Sequence, residues 1–255
     1  MTAERDDWDH LWRENDVLNA LNPAQVFRRE RILDRLALGA ATAPVRLLDL
    51  GCGSGELACH ALRARADAEV VGLDGSATGI ALARRKAPAA RFEHVDLTAP
   101  IALPGLARWA THAVCTEVLE HLDAPTELLR AVRPLLAPTC RLVVTVPGGP
   151  MSAFDRHLGH RAHFTPRRLR ATLEEAGYGI VELCGAGFPF FNLYRLAVVA
   201  RGERLVDDVA SGKGAPVTRT RRAAALGFRT LFRCTTDRTQ LGWQLLAVVT
   251  PRAAP

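Results

Sequence analysis

Residues 45–58 read "VRLLDLGCGSGELA". A hydrophobic run, Val45–Leu50, carries Asp49 near its end, and glycines follow at 51, 53 and 55. A β-type run that breaks into closely spaced glycines and then into a helical pattern marks a strand–turn–helix unit that can hold a cofactor through its backbone. In a dinucleotide loop the third glycine falls three residues after the second, so that helix and strand pack closely around a pyrophosphate. Here that position is Glu56, and Gly55 comes one residue early. A carboxylate at the helix start repels a phosphate held there. The spacing argues against NAD and for a cofactor without phosphate.

The pattern continues outward from this loop. A helix is expected over Glu56–Arg65, a strand over Glu69–Asp74 and an alanine-rich helix over Ala77–Lys86. Strands follow at Arg91–Asp96 and Thr111–Thr116, a helix at Pro125–Leu136 and a strand at Arg141–Val146. Thr165 caps a helix that starts at Pro166 and stops at Gly177, and strands close the pattern at Gly179–Leu183 and Leu245–Thr250. Strands that alternate with helices of this length predict an α/β fold with a parallel sheet wound on both faces. The nearly continuous apolar strands agree, because each face of the sheet is covered.

Ligands of such sheets sit beyond the carboxyl ends of the strands. There the sequence places Asp49, Asp74, Asp96 and Glu117, at or next to the ends of four successive strands. A cofactor with a free ammonium and a sulfonium needs such acids. Asp49 can accept from the ammonium, and Asp74 from both ribose hydroxyls. Asp96 can accept from an adenine amino group, with Leu97 beside the ring. Gly51 and Gly53 allow close backbone approach and positive φ. The ligand that satisfies each acid is S-adenosylmethionine, with S-adenosylhomocysteine as its product.

With these residues in place the chain resembles the class I S-adenosylmethionine-dependent methyltransferases, in the branch that includes small-molecule and quinone methyltransferases. "LLDLGCGSGELA" is similar to that family's first motif, "VVGLDGS" to the next and "FEHVDL" to the adenine-end motif. "CTEVLEHLDAP" and "GHRAHFTPRRLRATLEEAGY" are similar to the stretches after the fourth strand and before the sixth. The resemblance covers about residues 45–185 and the final strand. It implies a Rossmann-like doubly wound sheet of seven strands, the last antiparallel. It also implies cofactor contacts from Asp49, Gly51, Cys52, Gly53, Asp74, Gly75, Ser76, Asp96, Leu97 and Glu117. Residues 43–188 then form the cofactor-binding core. Residues 1–42 are expected as an N-terminal helical lid, and Trp8 and Trp12 as its anchors on one helix face. Residues 189–241 are expected as an insertion on the acceptor side, and 242–255 as the last core strand and tail.

Methyl transfer to oxygen needs an acceptor held in line and a base that works near pH 7, a task suited to histidine. His121 follows Glu120 just beyond the fourth strand. His157, His160 and His163 follow Asp155 in "FDRHLGHRAHF", and His10 lies near the chain start. His121, His160 and His157 are the candidate bases, His160 being favoured by the glycine before it. Their spacing of three does not share one helix face, and Gly159 breaks any helix, so no metal site is expected. "GAGFPFFNLYR" offers an aromatic wall for an apolar or ring-bearing small molecule, or core packing instead.

Composition narrows the remaining classes. The net charge of +6 is nearly all arginine, since Lys86 and Lys213 are the only lysines. Arginine would suit an acidic partner or RNA, but it is spread along the chain. No Asn/Asp-Pro-Pro-Tyr motif follows the fourth strand and no Pro-Cys pair occurs, so nucleic acid is not the expected acceptor. N- or C-methylation of a small molecule, RNA methylation and non-catalytic cofactor binding stand as alternatives. The six scattered cysteines form no C-x-x-C pair and read as reduced thiols. The charged start and the lack of a long apolar run point to a cytoplasmic protein without a membrane span. Oligomeric state is left open.

Overall fold

The computed structural model describes residues 8, 9, 12, 22–210 and 219–252. One sheet of seven strands organises them. The strands are β1 (Arg46–Leu50), β2 (Glu69–Asp74), β3 (Arg91–His94), β4 (Ala110–Thr116), β5 (Leu136–Pro147), β6 (Tyr178–Ala186) and β7 (Gln244–Pro251), in spatial order 3-2-1-4-5-7-6. β1 to β5 pair in parallel, and β7 runs antiparallel between β5 and β6.

Eight helices are described: α1 (Pro23–Leu36), α2 (Glu56–Ala64), α3 (Ala77–Lys86), α4 (Pro125–Val132), α5 (Ala153–His157), α6 (Pro166–Glu175), α7 (Phe190–Ala210) and α8 (Arg219–Phe232). Side chains alternate across a strand, so each strand feeds two cores. Leu48, Leu50 and Val144 pack with Leu128 and Leu129 of α4 and Leu169 and Leu173 of α6. Leu47, Val143 and Leu246 pack on the other face with Ile32 and Leu36 of α1, Ala58 of α2 and Ile80 of α3. A smaller aromatic cluster joins Phe27 of α1, Phe191 of α7 and Phe232 of α8. No helix of the described residues is long and apolar enough to cross a membrane.

Several boundaries differ from the sequence expectation. The helix expected to reach Leu136 leaves α-geometry after Val132 and passes through a 3₁₀ turn, Arg133–Leu135. Pro134 lacks the N–H that would continue the helix. β5 starts earlier and β3 stops earlier than expected. α5 was not expected at all. Ser152 caps it and Asp155 reaches back to the Ser152 N–H, a reciprocal capping box that makes so short a helix hold.

The segments expected to lie outside the core divide. In the 1–42 stretch, α1 buries Ile32 and Leu36 in the sheet core and so belongs to a main layer. Only Trp8, Asp9 and Trp12 are described ahead of Asn22, and His10 lies outside the described residues. In the 189–241 stretch, α7 and α8 pack on α1, and the chain returns through single bridges, Phe188 to Thr236 and Gly185 to Thr239.

Tyr178 is fully buried, and its hydroxyl donates to the Leu129 carbonyl at 2.8 Å, tying β6 to α4. Tyr178→Phe removes that bond and leaves the carbonyl without its donor. It is expected to cost about 1 kcal/mol, read as a lower urea midpoint at unchanged slope.

Candidate functional site

The glycine loop is fastened to the neighbouring strand. The N–H groups of Gly51 and Cys52 donate to the Leu73 carbonyl, and the Gly53 N–H donates to Asp74 Oδ2 at 2.8 Å. Asp74 Oδ1 accepts from the Ser76 N–H, also at 2.8 Å, while Ser76 Oγ caps α3 by accepting from the Gly79 N–H. Gly53 sits at φ +50, and a Cβ there would lie 2.3 Å from the Trp12 ring. The loop therefore needs glycine twice over, for its backbone angle and for the close approach of a neighbour.

Trp8, Asp9 and Trp12 close over this loop. Asp9 accepts from Ser76 Oγ and, at 2.9 Å, from the Thr78 N–H. Trp12 lies on Gly53 and Gly79, and Trp8 meets His121 edge-on, 4.7 Å between ring centres. Behind these residues stand Asp74, Gly75 and Ser76, none of which lines the main cavity. Asp96 is exposed and turns its Oδ1 to the N–H and hydroxyl of Thr98, while Leu97 packs on the sheet core. Neither residue lines the main cavity, and the Val95 N–H before them donates to the Asp74 carbonyl at 2.9 Å.

A cavity of about 370 Å³ runs from the glycine loop to α5 and α7. Asp49, Gly51, Cys52 and Gly53 line one end, and Glu117, His121 and His160 line it further along. Asp49 is 1 % exposed, and its Oδ2 has no hydrogen-bond partner among the described residues. Burial, aided by the nearby Asp74, pushes its carboxyl up to about 7.

Glu117 stands just beyond β4 at φ +54, an angle that costs a side-chain-bearing residue on the order of 1 kcal/mol or more. Three elements hold it there. Arg28 of α1 pairs with it at 3.0 Å, Thr145 of β5 donates at 3.0 Å and Gln244 of β7 at 2.9 Å. Arg28 also donates to Gln244 Oε1, which closes a ring of polar contacts beneath the cavity.

His121 and His160 meet edge-on, 4.7 Å between ring centres, although 38 residues of sequence lie between them. The chain turns at Gly159, at φ +83, and folds the His160 loop back on the end of β4. Glu120, 1 % exposed, has neither carboxylate oxygen hydrogen-bonded among the described residues, and His121 Nδ1 is equally unpartnered. One ligand-type atom from each of Glu120, His121 and His160 falls within 4.8 Å of the others, as do those of Asp155, His160 and His163. The tertiary turn thus brings together groups that a spacing of three keeps off one helix face.

Burial lowers both central histidines, His121 to about 3 with help from His160, and His160 to about 4 against the opposing pull of Asp155. Burial also raises the Glu120 carboxyl, helped by Glu117. Asp155 goes the other way. Its burial is outweighed by Arg195, which donates to it at 2.7 Å, and by Ser152. His157 is exposed on α5 beside Phe154 and does not reach the cavity.

Among the cavity residues to which the sequence reading gave no role of their own are Arg28, Arg195, Trp243 and Gln244. Gln244 left a trace, a polar residue that opens the apolar run of the last strand and is 2 % exposed. The arginines left none, because they are two among many.

Residues 24–183 match the family model described as a methyltransferase domain. A ubiquinone biosynthesis O-methyltransferase of Xanthomonas euvesicatoria is 31 % identical over 203 residues, 71 % of this chain and 79 % of that protein. The enzyme of the same name from Aeromonas salmonicida is 27 % identical over 207 residues, 74 % of this chain and 84 % of that protein. Among solved structures, a putative sarcosine dimethylglycine methyltransferase from Galdieria sulphuraria superposes with a TM-score of 0.62 at 10 % identity, over 98 % of this chain and 99 % of that one.

The lowered histidines make stability depend on pH. The unfolded chain protonates His121 near its ordinary value of 6.5, and the folded chain only near 3. Between those values the unfolded state binds the extra proton, so this group's contribution to stability falls as pH drops. His121→Gln should therefore lose less stability than the parent between pH 7 and pH 5, by about 1–2 kcal/mol. Urea unfolding of both proteins at the two pH values measures the difference.

Proposed function

From its membership in the class I S-adenosylmethionine-dependent methyltransferases, which the match over residues 24–183 establishes, we propose that this chain methylates a hydroxyl oxygen of a small-molecule acceptor, with His160 taking the proton. The observation that carries this reading is the buried, unpartnered Oδ2 of Asp49 at one end of a cavity whose other end holds His160. A buried carboxylate oxygen without a donor costs about 1–3 kcal/mol, more when charged. A ligand ammonium placed there removes the cost. The donor set fits the cofactor: a bare acid at the loop floor, glycines that admit a backbone-close ligand, and a second acid, Asp74, beside them.

S-adenosylmethionine supplies the electrophilic methyl group when bound. The protein's part is to hold, orient and deprotonate. Asp49 anchors the ammonium. Asp74 takes the ribose hydroxyls once Asp9 and Trp12 withdraw from the loop, so these two residues act as a lid. Phe154, Phe191, Tyr194 and Trp243 wall the acceptor end and suit a ring-bearing acceptor. The two guanidiniums there, Arg28 and Arg195, are paired with Glu117 and Asp155, so the wall presents little net charge and favours an uncharged hydroxyl compound. His160, neutral at pH 7 because of its burial, is ready to accept a proton. The names of the two relatives, O-methyltransferases, favour oxygen over nitrogen or carbon.

Two measurements test the reading. Calorimetric titration with S-adenosylhomocysteine should give micromolar affinity, and Asp49→Asn should weaken it at least tenfold. Since the Asp49 carboxyl is raised to about 7, ammonium binding at pH 6.5 should expel its proton. The apparent enthalpy should then differ between phosphate and Tris buffers, and equal enthalpies would remove the Asp49 assignment. With an acceptor found by screening hydroxylated aromatics against labelled cofactor, His160→Gln should lower kcat by about 10²-fold at unchanged affinity for S-adenosylhomocysteine. Undiminished turnover would remove His160 as the base.

A further inference from the structure

A histidine can act as a base only through a nitrogen that carries no proton, and the partner of its other nitrogen decides which one that is. His160 has such a partner. Its Nδ1 lies 3.2 Å from His163 Nε2. The opposite nitrogen of His163, Nδ1, lies 3.1 Å from the carbonyl oxygen of Gly149. These two contacts determine the protons in order. A carbonyl oxygen can only accept, so His163 Nδ1 carries a hydrogen. A neutral imidazole carries one, so His163 Nε2 is an acceptor. The hydrogen between the rings must then sit on His160 Nδ1, which leaves His160 Nε2 with its lone pair free.

We propose that His163 is a positioning residue that holds His160 in the Nδ1–H tautomer, so that Nε2 is the nitrogen presented to the acceptor. The catalytic consequence rests on the reading of His160 as the base, but the tautomer itself does not.

The surroundings support a neutral His163. Its side chain is 6 % exposed. Asp155 Oδ2 lies 3.7 Å from its Nε2, beyond hydrogen-bond length, and is already taken by the Ser152 N–H, the Ser152 hydroxyl and Arg195. The carboxylate charge is thus spent on Arg195 and does not call for an imidazolium. The charged or titratable groups facing His160 are Asp155, Glu120, His163, Arg195, Arg28 and His121. Were His163 an imidazolium, its Nε2–H would point at His160 Nδ1 and the order would reverse, closing Nε2 as a base. The first contact of the chain is also built in. Gly149 sits at φ +71 with the Trp243 indole against it, where a Cβ would lie 2.5 Å from the ring, so its carbonyl is aimed by a conformation that other residues resist.

The decisive measurement is long-range proton–nitrogen NMR on histidine-labelled protein at pH 7.5, with His160 assigned by comparison with His160→Gln. The resting protein is expected to show a protonated Nδ1 and an unprotonated Nε2 on His160. His163→Phe keeps a ring but removes the acceptor, so His160 should move toward the Nε2–H form and kcat should fall at least about tenfold at unchanged cofactor affinity. His163→Gln offers an amide N–H to Gly149 and an amide oxygen to His160, and should restore both the nitrogen signature and most of kcat. A resting His160 that is Nε2–H or doubly protonated overturns the proposal, and so does a His163→Phe variant with the parent's signature. The signature is read without turnover, so loss of the base assignment through an active His160→Gln is distinguishable from loss of the tautomer assignment.

Discussion

Strand β1 is hydrogen-bonded on both sides, to β2 from Arg46↔Glu69 to Leu50↔Leu73 and to β4 from Leu47↔His112 to Leu50↔Cys115. Both pairings are parallel, so the carboxyl ends of all three strands emerge at one edge. Everything at the site follows from that. The loop after β1 can bond to the Leu73 carbonyl only because β2 ends beside it. Asp49, Asp74 and Glu117 share a neighbourhood for the same reason. A parallel sheet must send its chain back through helices, and these helices cover the strands on both faces. The edge is the place left where a ligand can reach the strand ends.

Crowding acids at a buried edge raises an electrostatic problem, which the chain meets in two ways. Some acids are neutralised by cations from distant segments. Arg28 serves Glu117, Arg195 serves Asp155, and Lys86 pairs with Glu56 at 2.7 Å at the start of α2. Removing one partner of such a pair leaves the other charge buried, a larger effect than the pair's net contribution. Asp49 and Glu120 form no ion pair among the described residues and hold their protons more tightly. Unpartnered buried groups are the points at which a fold departs from full satisfaction of its polar atoms. Here they line or border the cavity.

The cluster at the far end shows how loops complete what the sheet begins. β4 is followed directly by Glu117 and then by Glu120 and His121. The segment after β5 turns at Gly149, caps α5 with Ser152, turns again at Gly159 and delivers His160 and His163. Each device is local, but together they bring His160 against a ring 39 residues earlier in the chain. Desolvation then keeps both rings neutral at pH 7.

Much of this was legible in the sequence. The order of strands and helices, the glycine loop and the acids at strand ends are local patterns, written in periods of two and 3.6 residues and in the spacing of glycines. They fixed the fold class and pointed to Asp49 and Gly53. They also pointed to His157 alongside His160, which only the preceding glycine favoured, since spacing cannot distinguish an exposed turn from one folded over a cavity. Whether Asp74 lies open or beneath Asp9 and Trp12, that Arg28 and Gln244 brace Glu117, and that three separated histidines meet were decided by tertiary structure alone. These are contacts between segments far apart in the chain, chosen by how helices and loops pack on a finished sheet. Local sequence carries periodicity and turn chemistry, but a long-range contact exists only once the surfaces that make it have been built.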